Sequence, residues 1–335
     1  YYWREYYTLL SNYSSSIYSM MNPYDALDAQ YVSEDYTWDQ MIMDSAMQSY
    51  QTCMAAAAAA EKEGYQMAED EQDYLDNLEQ NVTDFALSYG FADVDQYLTE
   101  GYGPYSDLAS YREYMQAYMT AVSYLSAKTQ QITVSEQEVE ARYEENEEDY
   151  ISAGLEKDER PMVNVRHILI KPEAVSLQEG DEGYEEAVQQ ANEAAKQKAE
   201  ELYAEWQNGE RTEESFAALA QTYSEDTGSA ANGGLYEEVY PGQMVDSFDA
   251  WCFEDGRKAG DSGIVETGHG YHILYFSGVC ETSYWYKTIE EDCRRAKYSE
   301  MVDALLEQYP LKRSLEKAWV YPCNVTQDTA AESEE

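Results

Sequence analysis

Val163-Asn164-Val165-Arg166-His167-Ile168-Leu169-Ile170 is the stretch on which the fold turns. It is rich in β-branched and aliphatic side chains and lacks Gly and Pro, so it reads as a strand inside a chain otherwise patterned for helix. Reading outward toward the C-terminus, a long helix is expected over about 183–207, ending near Gly209, and a shorter one over 213–222. A glycine-rich loop with Gly228, Gly233 and Gly234 follows, then a helix over about 244–253 and two short strands at 263–266 and 271–276. Strand, several helices and two more strands make an α+β unit.

Toward the N-terminus the polar stretch 154–162 reads as a linker. Before it lie helices: an aromatic one over 1–22 closed by Asn22-Pro23, then Thr37 to Gly64 around the run Ala55–Ala60, then 69–88. Gly101, Gly103 and Pro104 break the chain. Leu108, Tyr111, Met115, Tyr118, Val122 and Leu125 recur at spacings of three and four, which places them on one stripe of the next helix. Ser135 with Glu138 forms a capping box that opens another. After Cys280, residues 284–308 read as one helix stopped by Pro310; the apolar Ala318–Tyr321 and an acidic tail close the chain. The expected organisation is a helical region over 1–153, the linker 154–162, the α+β unit over 163–280, a helical segment over 281–325 packing on the N-terminal region, and a disordered tail over 326–335.

Charge narrows the partners. With 67 acidic against 21 basic residues and a net charge of −46, the 335-residue chain repels nucleic acid and anionic membrane surfaces. No apolar run is long enough to span a bilayer. The abrupt start on Tyr1-Tyr2-Trp3, without Met, reads as a form trimmed of its beginning. The 34 tyrosines against 6 phenylalanines suit either a sticky yet soluble peptide-binding surface or a core that uses Tyr where others use Phe. None of the five cysteines stands at CxxC spacing, so a zinc or thioredoxin-like site is not expected, and spacing leaves any disulfide pairing open.

Four ordered patterns fall in the α+β unit. They are Arg166-His167-Ile168-Leu169-Ile170; Phe216 through Ser224-Glu225-Asp226 with Gly233-Gly234; Gly242-Gln243-Met244-Val245 leading to Phe248; and Gly263-Ile264-Val265-Glu266-Thr267 with Gly270-Tyr271-His272-Ile273-Leu274. Together they resemble the parvulin family of peptidyl-prolyl cis-trans isomerases over roughly a third of the chain. The whole layout is similar to extracytoplasmic foldases of the PrsA and SurA type.

That resemblance implies a small antiparallel sheet flanked by helices, inserted into a mainly helical chaperone domain built from both chain ends. It implies a catalytic network of His167, Asp226, Thr267 and His272, and a substrate site of Met244, Phe248, Tyr236 and Gln243. No metal or cofactor is implied. The partners would be unfolded or partly folded secreted polypeptides with X-Pro bonds, met outside the cytoplasm on the outer face of a Gram-positive membrane. A signal or lipid anchor would have preceded Tyr1. The alternative is a holdase whose degenerate parvulin unit only binds peptide.

The residues carry plainer readings as well. His167 and His272 suit buried histidines that tie strands together, and Met244 and Phe248 suit an ordinary core. The family usually continues Gly-Gly with Asp-Leu-Gly, whereas Gly233-Gly234 here runs into Leu235-Tyr236-Glu237. Tyr236 therefore stands at an apolar wall position and Glu237 replaces a glycine. Spacing i, i+4 on the expected helix puts Met244 and Phe248 on one side, and Phe248→Ala is expected to lower activity in a domain that stays folded.

Overall fold

The computed structural model describes residues 20–22, 25–102 and 106–310. The N-terminal aromatic stretch up to 19, Pro23, Gly103-Pro104, Ala318–Tyr321 and the acidic tail lie outside the described residues. The chain divides into two compact units, Tyr1–Thr133 with Arg295–Glu335, and Val134–Arg294.

In the first unit a short hairpin, β1 (Tyr31–Ser33) and β2 (Tyr36–Thr37), leads into helix α1 (Trp38–Glu63). Thr37 and Gln40 close a reciprocal capping box, and Gly64 ends the helix in the left-handed conformation at φ 67°. The helix expected over 69–88 is two, α2 (Glu69–Asp76) and α3 (Leu78–Ser88). Asn77 separates them, and its side chain turns back to the Asp73 carbonyl at 2.8 Å, competing with the helical backbone. Helix α4 (Val94–Tyr102), unforeseen in the sequence, and α5 (Leu108–Gln130) follow.

The alanine run has a packing purpose. Ala56, Ala59 and Ala60 are buried against Ala121 and Tyr124 of α5, with Leu305 and Tyr309 of the C-terminal segment packed on the same cluster. The stripe on α5 does not stay in one seam. Leu108, Tyr111 and Met115 join α3 and α4, Tyr118 and Leu125 join α1, and Val122 is exposed. Spacings that average 3.5 residues drift about 20° per heptad on a straight helix, and two heptads separate Leu108 from Val122.

The second unit begins with α6 (Glu136–Glu145) and α7 (Glu147–Ser152). Its sheet has the order β4-β3-β6-β5, antiparallel throughout, formed by β3 (Pro161–Ile170), β4 (Leu235–Val239), β5 (Ser262–Thr267) and β6 (Gly270–Ser283). Helices α8 (Tyr184–Asn208) and α9 (Glu213–Tyr223) connect β3 to β4, and α10 (Asp246–Cys252) connects β4 to β5. Helix α11 (Tyr284–Gln308) continues directly from β6. Val139 and Tyr143 of α6 share a core with Leu155, Trp285 and Ile289, which is why the unit starts at Val134 where the sequence suggested a boundary at the 154–162 linker.

Two-residue alternation sorts the sheet. Ile168 and Ile170 of β3 with Tyr271, Ile273 and Tyr275 of β6 face α8 and α9, packing on Ala199, Trp206 and Phe216. Val163 and Val165 with Leu274 and Phe276 face the other way, onto Phe248 and Cys252 of α10. By the same alternation, His167 and His272 belong to this second face. The fold is α+β, as expected. Strand β4 escaped the sequence reading because it directly follows Gly-Gly and carries Glu237-Glu238 at an exposed sheet edge.

Candidate active site

In the β3–β6 ladder His167 pairs with Leu274 and Leu169 with His272, so the two histidines are diagonal neighbours. Their Nδ1 atoms lie 3.1 Å apart and their rings are nearly parallel, with centroids 5.3 Å apart. Both are buried. The β5–β6 turn brings Thr267 Oγ1 to 2.9 Å from His272 Nε2, and the same hydroxyl accepts the His269 N–H at 3.0 Å. That turn needs Gly270: φ is +130°, and a Cβ there would sit 2.3 Å from the Ile170 carbonyl oxygen.

Asp226 arrives from the end of α9. Its approach is fastened to the end of β3 by the Leu169 N–H on Ser224 Oγ at 3.1 Å and the Glu225 N–H on the Leu169 carbonyl at 2.8 Å. Beyond it, the Gly234 carbonyl accepts the His167 N–H at 2.8 Å. A Cβ on Gly234 would fall 2.0 Å from the His167 carbonyl oxygen, which explains the second glycine of the motif. Asp226 Oδ2 then receives His167 Nε2 at 2.8 Å, the Tyr236 hydroxyl at 2.9 Å and the Ser229 hydroxyl, while Oδ1 receives the Gly228 N–H at 3.2 Å.

These contacts fix the charges. Burial pushes the Asp226 carboxyl up, but the hydrogen bonds from Ser229, His167, Tyr236 and the Gly228 N–H outweigh it and hold the group well below the ordinary carboxylate range. Burial pushes His167 down, against the pull of Asp226. Burial, with the neighbouring His167 and His269, pushes His272 down to about 4. The neutral histidines then have one consistent set of tautomers. His167 donates from Nε2 to the carboxylate and accepts at Nδ1 from His272 Nδ1–H, leaving His272 Nε2 to accept from the Thr267 hydroxyl.

The apolar part meets this chain edge-on. The Phe248 ring stands nearly perpendicular to His167, centroids 5.8 Å apart, and to His272, at 5.4 Å. Phe248 is only 2% exposed. Met244 is half-buried on the same cluster, but it lies in the bend before α10 and not on the helix; the Pro241-Gly242 turn delays the helix to Asp246. Tyr236 also packs there and stacks on His167 with centroids 4.8 Å apart.

Gln243 stays outside the network. It is exposed, and its Oε1 accepts the Tyr240 N–H at 3.0 Å, closing its own turn. Ser229, buried and within 3.0 Å of His167 Nε2, was missed by the sequence reading. The signal for it was Asp226-Thr227-Gly228-Ser229, a polar turn whose two ends can meet.

A small antiparallel sheet carrying a buried histidine pair, an acid and an edge-on aromatic defines a parvulin-type peptidyl-prolyl isomerase domain, and the chain carries one. Residues 151–278 match the family model described as the PPIC-type PPIASE domain. Foldase protein PrsA 1 of Listeria innocua is 32% identical over 114 residues, covering 34% of this chain and 30% of its own. Chaperone SurA of Pseudomonas savastanoi is 33% identical over 153 residues, covering 44% of this chain and 31% of its own. The chain thus spans less than a third of the length of these curated relatives. The crystal structure of PrsA from Bacillus subtilis aligns over 88% of this chain and 96% of its own, at 19% identity and a TM-score of 0.35.

Proposed function

We propose that the chain is a peptidyl-prolyl cis-trans isomerase acting as a foldase on unfolded or partly folded secreted polypeptides, outside the cytoplasm of a Gram-positive bacterium. The observation that carries the proposal is the chain Thr267–His272–His167–Asp226 set edge-on against Phe248. The resemblance to extracytoplasmic foldases supports the location, and the names of the relatives support the foldase role.

The chemistry asked of the site is modest. An X-Pro bond turns over a barrier of about 18–20 kcal/mol, which is amide resonance lost on twisting. In the planar amide the carbonyl oxygen carries more negative charge than in the twisted, ketone-like form. A carbonyl held beside the Asp226 anion, in a site lined by Phe248, Met244 and Tyr236, loses more stability when planar than when twisted. Every 1.4 kcal/mol of that difference is about tenfold in rate. The neutral histidines hold the carboxylate in place and exclude water, and no covalent intermediate is needed.

The alternative, a holdase whose parvulin unit binds without useful turnover, is favoured by Tyr236, whose ring lies on His167 where the family pattern has an aliphatic wall, and by Glu237. A protease-coupled assay on proline tetrapeptides separates the two. Acceleration that falls at least tenfold in Asp226→Ala is the expected result. No acceleration by the folded wild-type protein, together with suppressed aggregation of an unfolded client, selects the holdase.

A further inference from the structure

A cleft in the same unit is lined by the turn that leads into Met244. Its volume is about 680 Å³, and Tyr240, Pro241 and Gly242 form one wall while Tyr284 and Trp285 of α11 form another. The turn between cleft and candidate site is narrow. The Gln243 N–H bonds the Tyr240 carbonyl at 3.1 Å, and Gly242 of the cleft lining is two residues from Met244 of the candidate site, so the Cα atoms of Gly242 and Met244 stand within about 7 Å. Met244 packs on the Phe248 cluster.

The lining has a definite chemistry. Tyr240 and Tyr284 stack face to face with centroids 3.9 Å apart. Glu156, Asp158 and Asp249 supply three carboxylates. Among the described residues Arg160 is the one cation of the lining, with the Lys157 ammonium beside it over the Trp285 ring, and Arg160 is held by Asp158, with Nη2–Oδ2 at 2.6 Å and Nε within 3.1 Å of both oxygens. Asp249 takes the Gly242 N–H at 2.8 Å through Oδ1 and also attracts Arg160, so the lining keeps an excess of two negative charges beside a stacked aromatic pair, which favours a Lys or Arg side chain by charge and by cation–π contact.

We propose that this cleft is a flank subsite, and that it takes a Lys or Arg placed two to four residues from the proline of an extended, unfolded polypeptide. The proposal rests on the isomerase reading for its proline and on the cleft alone for its basic residue. It names a substrate class, basic-flanked X-Pro segments, that suits the strongly acidic chain.

The test compares two proline peptides of equal length that differ only by Lys against Gln three residues from the proline. For the wild type, kcat/KM is expected to be at least fivefold higher with Lys, carried by KM. The double variant Glu156→Gln/Asp249→Asn removes both charges while the new amide keeps an Oδ1 acceptor for the Gly242 N–H, and in it the preference should fall below twofold. A control of equal charge change on the other face of the sheet, Glu185→Gln/Glu193→Gln on α8, should keep the fivefold ratio. A ratio near one in the wild type, or equal losses in both double variants, overturns the proposal. If neither peptide is turned over, the isomerase reading fails and the amide NMR shifts of Gly154 and Gly242 decide the cleft. Movement with the Lys peptide alone upholds it, and no movement, or equal movement with both peptides, sinks it.

Discussion

The two faces of the sheet in the second unit are built from the same strands and do opposite things. One, under α8 and α9, is a hydrocarbon and aromatic core: Ile168, Ile170 and Ile273 against Ala199, Trp206 and Phe216. The other, under α10, carries the same kind of core at one end, with Val163, Val165 and Phe276, and a buried polar chain beside it. A buried polar group left unpaired costs roughly 1–3 kcal/mol, so the second face is tolerated only because each ring nitrogen has a partner. The difference separates residues that hold the fold from residues that keep two histidines neutral and an acid charged.

The largest test matches two phenylalanines. Phe216, fully buried on the first face, and Phe248, 2% exposed on the second, should each cost about 3–5 kcal/mol when cut to Ala, read from urea midpoints. This revises the expectation that Phe248→Ala leaves the domain folded. Phe248→Leu keeps most of the volume and is the better probe: turnover should fall at least tenfold while stability drops by about 1.5 kcal/mol or less. Phe216→Leu should lose comparable stability and keep its turnover per folded molecule. Equal activity in the two Leu variants would erase the functional distinction between the faces.

Next in size is acid sensitivity. His272 titrates at about 4 in the fold and at about 6.5 unfolded, so the unfolded chain binds more protons between those values. The stability contributed is complete above pH 6.5 and drains as pH falls toward 4, by about 3 kcal/mol in total. Asp226, lowered in the fold, adds a loss in the same direction below about pH 4. Urea midpoints of His272→Gln measured against pH should slope less than wild type between about 6.5 and 4. An unchanged slope would mean that the histidine is not held neutral.

Ser229→Ala should cost about 2 kcal/mol, the worth of a hydrogen bond to a charged partner, and raise the Asp226 pKa. Tyr236→Phe removes a similar bond from a half-buried site and should cost about 1 kcal/mol. Both should move the acid limb of the pH–rate profile upward, Ser229→Ala further.

Much of this contrast could be read in advance, and what could not has physical causes. His167, Asp226, Thr267 and His272 stood out because each lies in a local pattern with its own backbone requirement, Gly234 and Gly270 above all. Phe248 was expected in a pocket, and its deep burial was not legible, because burial is decided by Val163, Leu274 and Phe276 on other strands. Met244 was put on a helix by its spacing from Phe248, while the Pro241-Gly242 turn starts that helix two residues later. Ser229 had a local signal in the polar turn from Asp226 that went unread, whereas the hydroxyl of Tyr236 was invisible because its partner, Asp226, is met across a loop whose path depends on two left-handed glycines, Gly233 and Gly234.

The smallest test compares two hydroxyls of similar standing. Tyr203, packed at the edge of the first face, donates to the Ser262 carbonyl at 3.0 Å; Thr267, on the second, lies 2.9 Å from His272 Nε2. Tyr203→Phe and Thr267→Val both keep shape and should each cost about 1 kcal/mol. Only Thr267→Val removes a donor that prefers the neutral imidazole. The His272 pKa should therefore rise from about 4 in that variant, read from the pH dependence of its ring NMR signals, and stay put in Tyr203→Phe. A rise in both variants would trace the shift to general loosening of the sheet, and a rise in neither would leave Thr267 as a turn residue that happens to sit beside a ring.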